Sequence, residues 1–135
     1  SPCEANAMKD WMLPLAVGLG GGLGAMARYG LVTLSTRLPW AFPSGTLAVN
    51  VLGGFGIGAL FLYGQRRPEW ALAIRVWAIT GFLGGFTTFS AFSLETLQLW
   101  SQGAQGKAMV NVLANVALSL SAVAAGMACA RRLLA

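Results

Sequence analysis

Three glycines, two threonines, two serines and four phenylalanines share one uncharged stretch: Gly81-Phe82-Leu83-Gly84-Gly85-Phe86-Thr87-Thr88-Phe89-Ser90-Ala91-Phe92-Ser93. Each glycine costs a helix interior about 1 kcal/mol relative to alanine. The stretch therefore predicts either an interrupted helix or a continuous one with a packing notch. An interruption inside a membrane is tolerated only where the freed backbone meets protein, an ion or a cavity. Carbonyls freed in that way can hold a cation, as in the discontinuous helices of transporters. Phe89 and Phe92 fall three residues apart, on one helical face. They can serve as core or lipid-facing groups. Alternatively, their ring edges, the positive part of the aromatic quadrupole, can receive an anion without trapping it.

Other polar residues repeat at helical spacing. Thr46 and Asn50 are four apart, and so are Asn111, Asn115 and Ser119, which places each set on one face. Interhelical hydrogen bonding accounts for such stripes, and so does a wall facing water or ions. Arg28 is the only basic residue well inside an apolar segment. It either snorkels to the interface or supplies fixed positive charge to an anion vestibule. Glu95 is the one acid in an apolar region and is expected near a span end, within reach of water. There is no histidine, which excludes Ser–His and Cys–His nucleophile pairs and histidine metal sites. Cys3 and Cys129 lack CxxC spacing, and no nucleophile–base pair is present, so no enzyme is expected.

The elements that must position these groups follow from the charges. Of 135 residues, 56% are hydrophobic and 10% charged, against about 25% charged in a soluble domain. No charge lies between Asp10 and Arg28, Arg37 and Arg66, Arg75 and Glu95, or Lys107 and Arg131. Each gap approaches or exceeds the roughly 20 apolar residues that cross a bilayer. The sequence predicts four membrane spans in a single domain over 11–135, after a tail at 1–10. Span 1 is expected from about Trp11 to Leu34, span 2 from Trp40 to Tyr63, span 3 from Trp70 to Leu99 or Trp100, and span 4 from Ala108 to Ala130. Trp11, Trp40, Trp70 and Trp100 mark span ends, as interfacial aromatics do. Gly18/Gly22, Gly20/Gly24 and Gly54/Gly58 have the spacing that lets helix backbones approach closely. The first hydrophobic stretch is read as a span, not a cleaved signal. The net charge of +5 is spread over span ends rather than gathered in one patch, so no nucleic acid is expected as a partner. Counting lysine and arginine favours both termini in the cytoplasm by a few charges.

Three segments together resemble the small fluoride channel family known as CrcB or Fluc. They are Gly24-Ala25-x-x-Arg28, Gly45-Thr46-Leu47-x-Val49-Asn50-x-x-Gly53, and Gly81-Phe82-Leu83-Gly84-Gly85-x-Thr87-Thr88-Phe89-Ser90-x-Phe92. The resemblance implies an all-α membrane protein with four transmembrane helices per subunit, the third broken near mid-membrane. It further implies an antiparallel, dual-topology homodimer that passively exports fluoride through two pores at the dimer interface. Pore residues implied in this way are Asn50, Phe89, Ser90 and Phe92, with Asn111, Asn115 and Ser119 as a pore wall. A central structural sodium ion, not transported, maps to the backbone carbonyls of Gly84 and Thr87. The family usually carries a second hydroxyl, threonine, where this chain has Ala91. The implied setting is a bacterial cell membrane, with lipid, fluoride and a second copy of the chain as partners and no further protein. Two rivals are weighed against this reading. A non-transporting scaffold could be held together by the glycine faces. A small proton-coupled drug exporter would require an acid deep in span 1, and none occurs between Asp10 and Arg28. The charge bias toward one orientation sits uneasily with insertion in both.

Overall fold

The computed structural model describes residues 9–135. Cys3 and most of the tail expected at 1–10 lie outside the described residues. Four helical segments are long and apolar enough to cross a membrane: Met12–Ser35, Ser44–Arg66, Pro68–Ser101 and Gln105–Leu133. The chain is all-helical and multi-pass. Helix α1 is Met12–Ser35 and α2 is Ser44–Arg66. The third span is a composite. A 3-10 turn at Pro68–Trp70 leads into α3 (Ala71–Ala73), a π-helix over Ile74–Leu83, α4 (Gly84–Phe86) and, after a gap, α5 (Phe89–Ser101). Helix α6 is Gln105–Leu133, entered through Gly103, whose positive φ of 83° closes the preceding turn.

Span 2 begins at Ser44, four residues after the Trp40 expected to open it. Pro43 explains the delay, because its ring pushes Phe42 out of the helical region. Trp40 still marks the span end, since its indole Nε1 donates to Ser44 Oγ at 3.2 Å. Span 4 runs a turn or so longer at its start than expected, reaching back to Gln105.

The helices pair by backbone contact. Helix α2 packs chiefly on α6, and α1 on the π-helix. A Cβ on Gly54 would lie 2.8 Å from the Ser119 carbonyl oxygen; one on Gly58 would strike that of Val123, and one on Gly126 that of Phe55. On the other side, a Cβ on Gly20 would lie 2.7 Å from the Trp77 carbonyl oxygen. Gly24 is closed off in the same way by Phe82, and Gly85 by Gly21. Of the three spaced glycine pairs, Gly20/Gly24 and Gly54/Gly58 thus make close approaches, whereas Gly18 and Gly22 meet nothing within 4 Å. Such interlocking suits a bilayer, where small residues replace the hydrophobic effect as the means of helix association. Val49, Leu83 and Phe86 form the buried core where α2 meets the third span. Large side chains such as Leu19, Leu23, Leu113 and Leu120 stay exposed, as lipid-facing residues do.

The third span is interrupted at Thr87 (φ −86°, ψ 158°) and Thr88 (φ −151°, ψ 124°), both extended. The gap is two residues wide and falls on the threonines. Gly84 and Gly85 remain helical, and Gly85 serves the close approach to α1 instead. The threonine side chains fit the gap. Thr88 caps α5, its Oγ1 accepting from the Ala91 amide at 3.2 Å, while Thr87 Oγ1 donates back to the Leu83 carbonyl at 3.0 Å. With 13 residues, α5 is about 20 Å long, so the gap lies well inside the span.

Candidate functional site

Asn50, on α2, bridges the gap. Its Oδ1 accepts from the Thr88 amide at 2.9 Å and its Nδ2 donates to the Thr88 carbonyl at 3.0 Å. One side chain thereby satisfies both backbone groups of a residue that has left the helix. The same Nδ2 donates to Asn115 Oδ1 at 3.0 Å. Asn115 Nδ2 donates to Asn111 at its backbone oxygen (2.9 Å) and Oδ1 (3.0 Å). Asn111 Nδ2 donates to Thr96 Oγ1 at 2.9 Å, and Thr96 Oγ1 to the Phe92 carbonyl at 2.7 Å. Every donor points the same way, from the gap along α6 and back to the helix that carries Phe92. The stripe expected on α6 is thus hydrogen-bonded within the protein over Asn111 and Asn115, and it leads to Ser119, whose Oγ is sealed from solvent without a partner.

A cavity of about 460 Å³ lies against the gap. Asn50, Gly84, Thr87, Phe89, Phe92, Asn115 and Ser119 all line it, and it is open at the surface of the chain. Phe89 and Phe92 meet edge to face with ring centroids 5.3 Å apart. Phe92 is buried at 7% exposure, whereas Phe89 stands out at 77%. Ser90 is exposed, with its Oγ 3.5 Å from Thr88 Oγ1, and does not line this cavity. Asn111 is fully buried behind the wall and reaches the cavity only through Asn115.

Arg28 is held at the gap. Its Nε donates to the Gly85 carbonyl at 3.0 Å, part-buried, so the guanidinium helps to close α4 at the gap. It also lines a second cavity of about 280 Å³, on the other side of Thr88, together with Thr46, Ala91 and Glu95. Glu95 lies deeper than expected. Its Oε1 accepts from Thr46 Oγ1 at 2.8 Å, and its Oε2 is buried without a partner. The methyl group of Ala91 adds no donor to this cavity.

The backbone oxygens at the gap are unequally engaged. The Leu83 carbonyl accepts twice from Thr87, that of Gly85 takes the Arg28 guanidinium, and that of Thr88 takes Asn50. The Thr88 amide that would bond to the Gly84 carbonyl in an unbroken helix goes to Asn50 instead. The carbonyls of Gly84, Phe86 and Thr87 are therefore left free of such a bond at the gap. They suit a hard cation, which takes oxygen ligands. Among the described residues, no cluster of histidine, cysteine or acids offers a metal any other seat.

Sequence reasoning did not anticipate Thr88 as the clamp point or Thr96 as a relay member. The spacing of Thr96, four residues after Phe92, was the available signal.

The family model described as CrcB-like protein, Camphor Resistance (CrcB), matches residues 15–127. A protein of Paracoccus denitrificans named fluoride-specific ion channel FluC is 48% identical over 121 residues, covering 90% of this chain and 96% of that protein. Proteins with the same name from Agrobacterium fabrum and Saccharophagus degradans are each 44% identical. The first covers 87% of this chain and 94% of its own, the second 91% and 90%.

Proposed function

This chain belongs to the CrcB-like protein family, and from that premise we propose that it is a fluoride-selective channel that lets fluoride leave a bacterial cell down its gradient. The family is one of ion channels, not of enzymes. The observation that carries the reading is the cavity at the gap. Its polar groups are amides, hydroxyls and backbone, and two phenyl rings meet at its wall. Fluoride is small and strongly hydrated, so a selective path must replace its water with several fixed donors. Asn50 holds such a group on the cavity, which Asn115 and Ser119 also line, and Ser90 adds a hydroxyl beside the first phenylalanine. The edges of Phe89 and Phe92 offer positive quadrupole charge. A lining without a cation binds the ion weakly enough to release it. Arg28 acts from the other side of the gap, where its charge attracts anions while its Nε is held by Gly85.

The pore is completed by a second copy. Phe89 is largely exposed and the cavity opens at the surface, so one chain walls it on one side only. An antiparallel homodimer would close two such paths along its interface. The Gly84 and Thr87 carbonyls of both copies would then hold a structural sodium ion. When bound, that ion supplies fixed positive charge between the paths.

The test is release from liposomes loaded with potassium fluoride and potassium chloride, with a potassium ionophore carrying the counter-charge, followed with fluoride and chloride electrodes. Rapid passive fluoride release with chloride retained is expected. Fluoride held until detergent is added, or release that needs a proton gradient, would overturn the reading.

A further inference from the structure

Asn50 has no donor hydrogen to spare. One goes to the Thr88 carbonyl and the other to Asn115 Oδ1, each at 3.0 Å. These assignments are fixed by backbone groups, because an amide N–H only donates and a carbonyl only accepts. The Thr88 amide sets the Asn50 oxygen, and the Asn111 carbonyl sets the Asn115 nitrogen, so Asn115 can turn only its oxygen toward Asn50. The bond to Thr88 holds the gap. The bond to Asn115 is the one that can be exchanged, and it lies on the larger cavity.

We propose that Asn115 Oδ1 is a competing acceptor, occupying the Asn50 hydrogen that a passing anion must use. The proposal rests on the fluoride-channel reading and concerns how that path releases its ion. A bond to a charged acceptor is roughly twice as strong as one to a neutral oxygen. Fluoride can therefore displace Asn115, and the amide oxygen takes the hydrogen back as the ion leaves. Without that return, departure would strand a buried donor, which costs more than a typical hydrogen bond gains. Asn115 in this account is a positioning residue. It weakens binding and speeds exit, as conduction requires.

The experiment compares wild type, Asn115→Ala and Asn115→Ser in liposomes, measuring fluoride flux against concentration, with fluoride binding in micelles by calorimetry. Loss of one net hydrogen bond corresponds to about a five-fold change in an equilibrium constant. Asn115→Ala should bind fluoride about five-fold more tightly and pass it more slowly at saturation. Asn115→Ser retains a hydroxyl that can back-bond to the Asn111 carbonyl and accept from Asn50, and should move both values toward wild type. Loosened packing would lower flux without tightening binding, so the opposed changes separate the two causes. If Asn115→Ala fails to assemble, Asn115→Ser alone must still bind more tightly than wild type. Wild-type flux with unchanged or weaker fluoride binding in these variants overturns the inference alone. A wild-type protein that passes no fluoride overturns the channel reading, and this inference with it.

Discussion

Replacing Asn50 with leucine removes the clamp on the gap at similar side-chain volume. Three bonds disappear: from the Thr88 amide (2.9 Å), to the Thr88 carbonyl (3.0 Å) and to Asn115 (3.0 Å). Hydrogen bonds between membrane helices average about 0.6 kcal/mol, and an unsatisfied buried group costs about 1–3 kcal/mol. Three average bonds plus one stranded Thr88 amide come to about 3–5 kcal/mol, at least about a hundredfold in the folding equilibrium. Unfolding in mixed micelles titrated with a denaturing detergent, followed by tryptophan fluorescence, reads this directly. The double variant with Asn115→Leu should cost less than the sum of the two single changes, because they share one bond. An Asn50→Leu protein within about 0.5 kcal/mol of wild type, the scatter expected for an ordinary surface change, would refute the clamp.

Phe89→Ile should suppress fluoride efflux at least tenfold while leaving stability near wild type, because the ring is exposed in the subunit; wild-type flux would reject the ring-edge role. Gly24→Ala should destabilise by about 1–3 kcal/mol through its clash with the Phe82 carbonyl, whereas Gly22→Ala, with open space around it, should be near neutral in the same unfolding assay. Purification and reconstitution with a large organic cation in place of sodium should lower flux, and restored sodium should recover it; equal flux throughout would count against the Gly84 and Thr87 seat. Cysteines placed at Trp11 and Trp40, in a background lacking the native ones, should crosslink Trp11 of one copy to Trp40 of the other. Crosslinks only between like positions would favour a parallel pair.

The spans were legible because charge is expensive in lipid, so the gaps between charged residues outline them. Trp40 marks the N-terminal end of span 2, but Pro43 decides where helical backbone can begin, four residues later. The interruption was legible as a region. Its width and place were not, because glycine content tells how easily a helix yields and not which residue has a partner waiting. Asn50 supplies that partner at Thr88, from 38 positions away in the chain. The π-helix over Ile74–Leu83 left no mark, since a mostly apolar run broken only by Arg75 and Thr80 shows no period to distinguish i→i+5 from i→i+4 bonding. For Arg28 the sequence left open what its side chain meets. Its partner, the Gly85 carbonyl, exists as a free acceptor only once the helix has ended.

The glycine approaches divide the subunit into two stiff couples. Helices α2 and α6 are keyed together main chain to main chain, as are α1 and the first half of the third span, with little room for either couple to slide internally. Any give between them must then collect at Thr87 and Thr88 and along the amides stitched from Asn50 to Thr96. A force on the periphery of the protein, whether from bilayer thickness or from a neighbouring copy, would be delivered to the handful of atoms that line the proposed path.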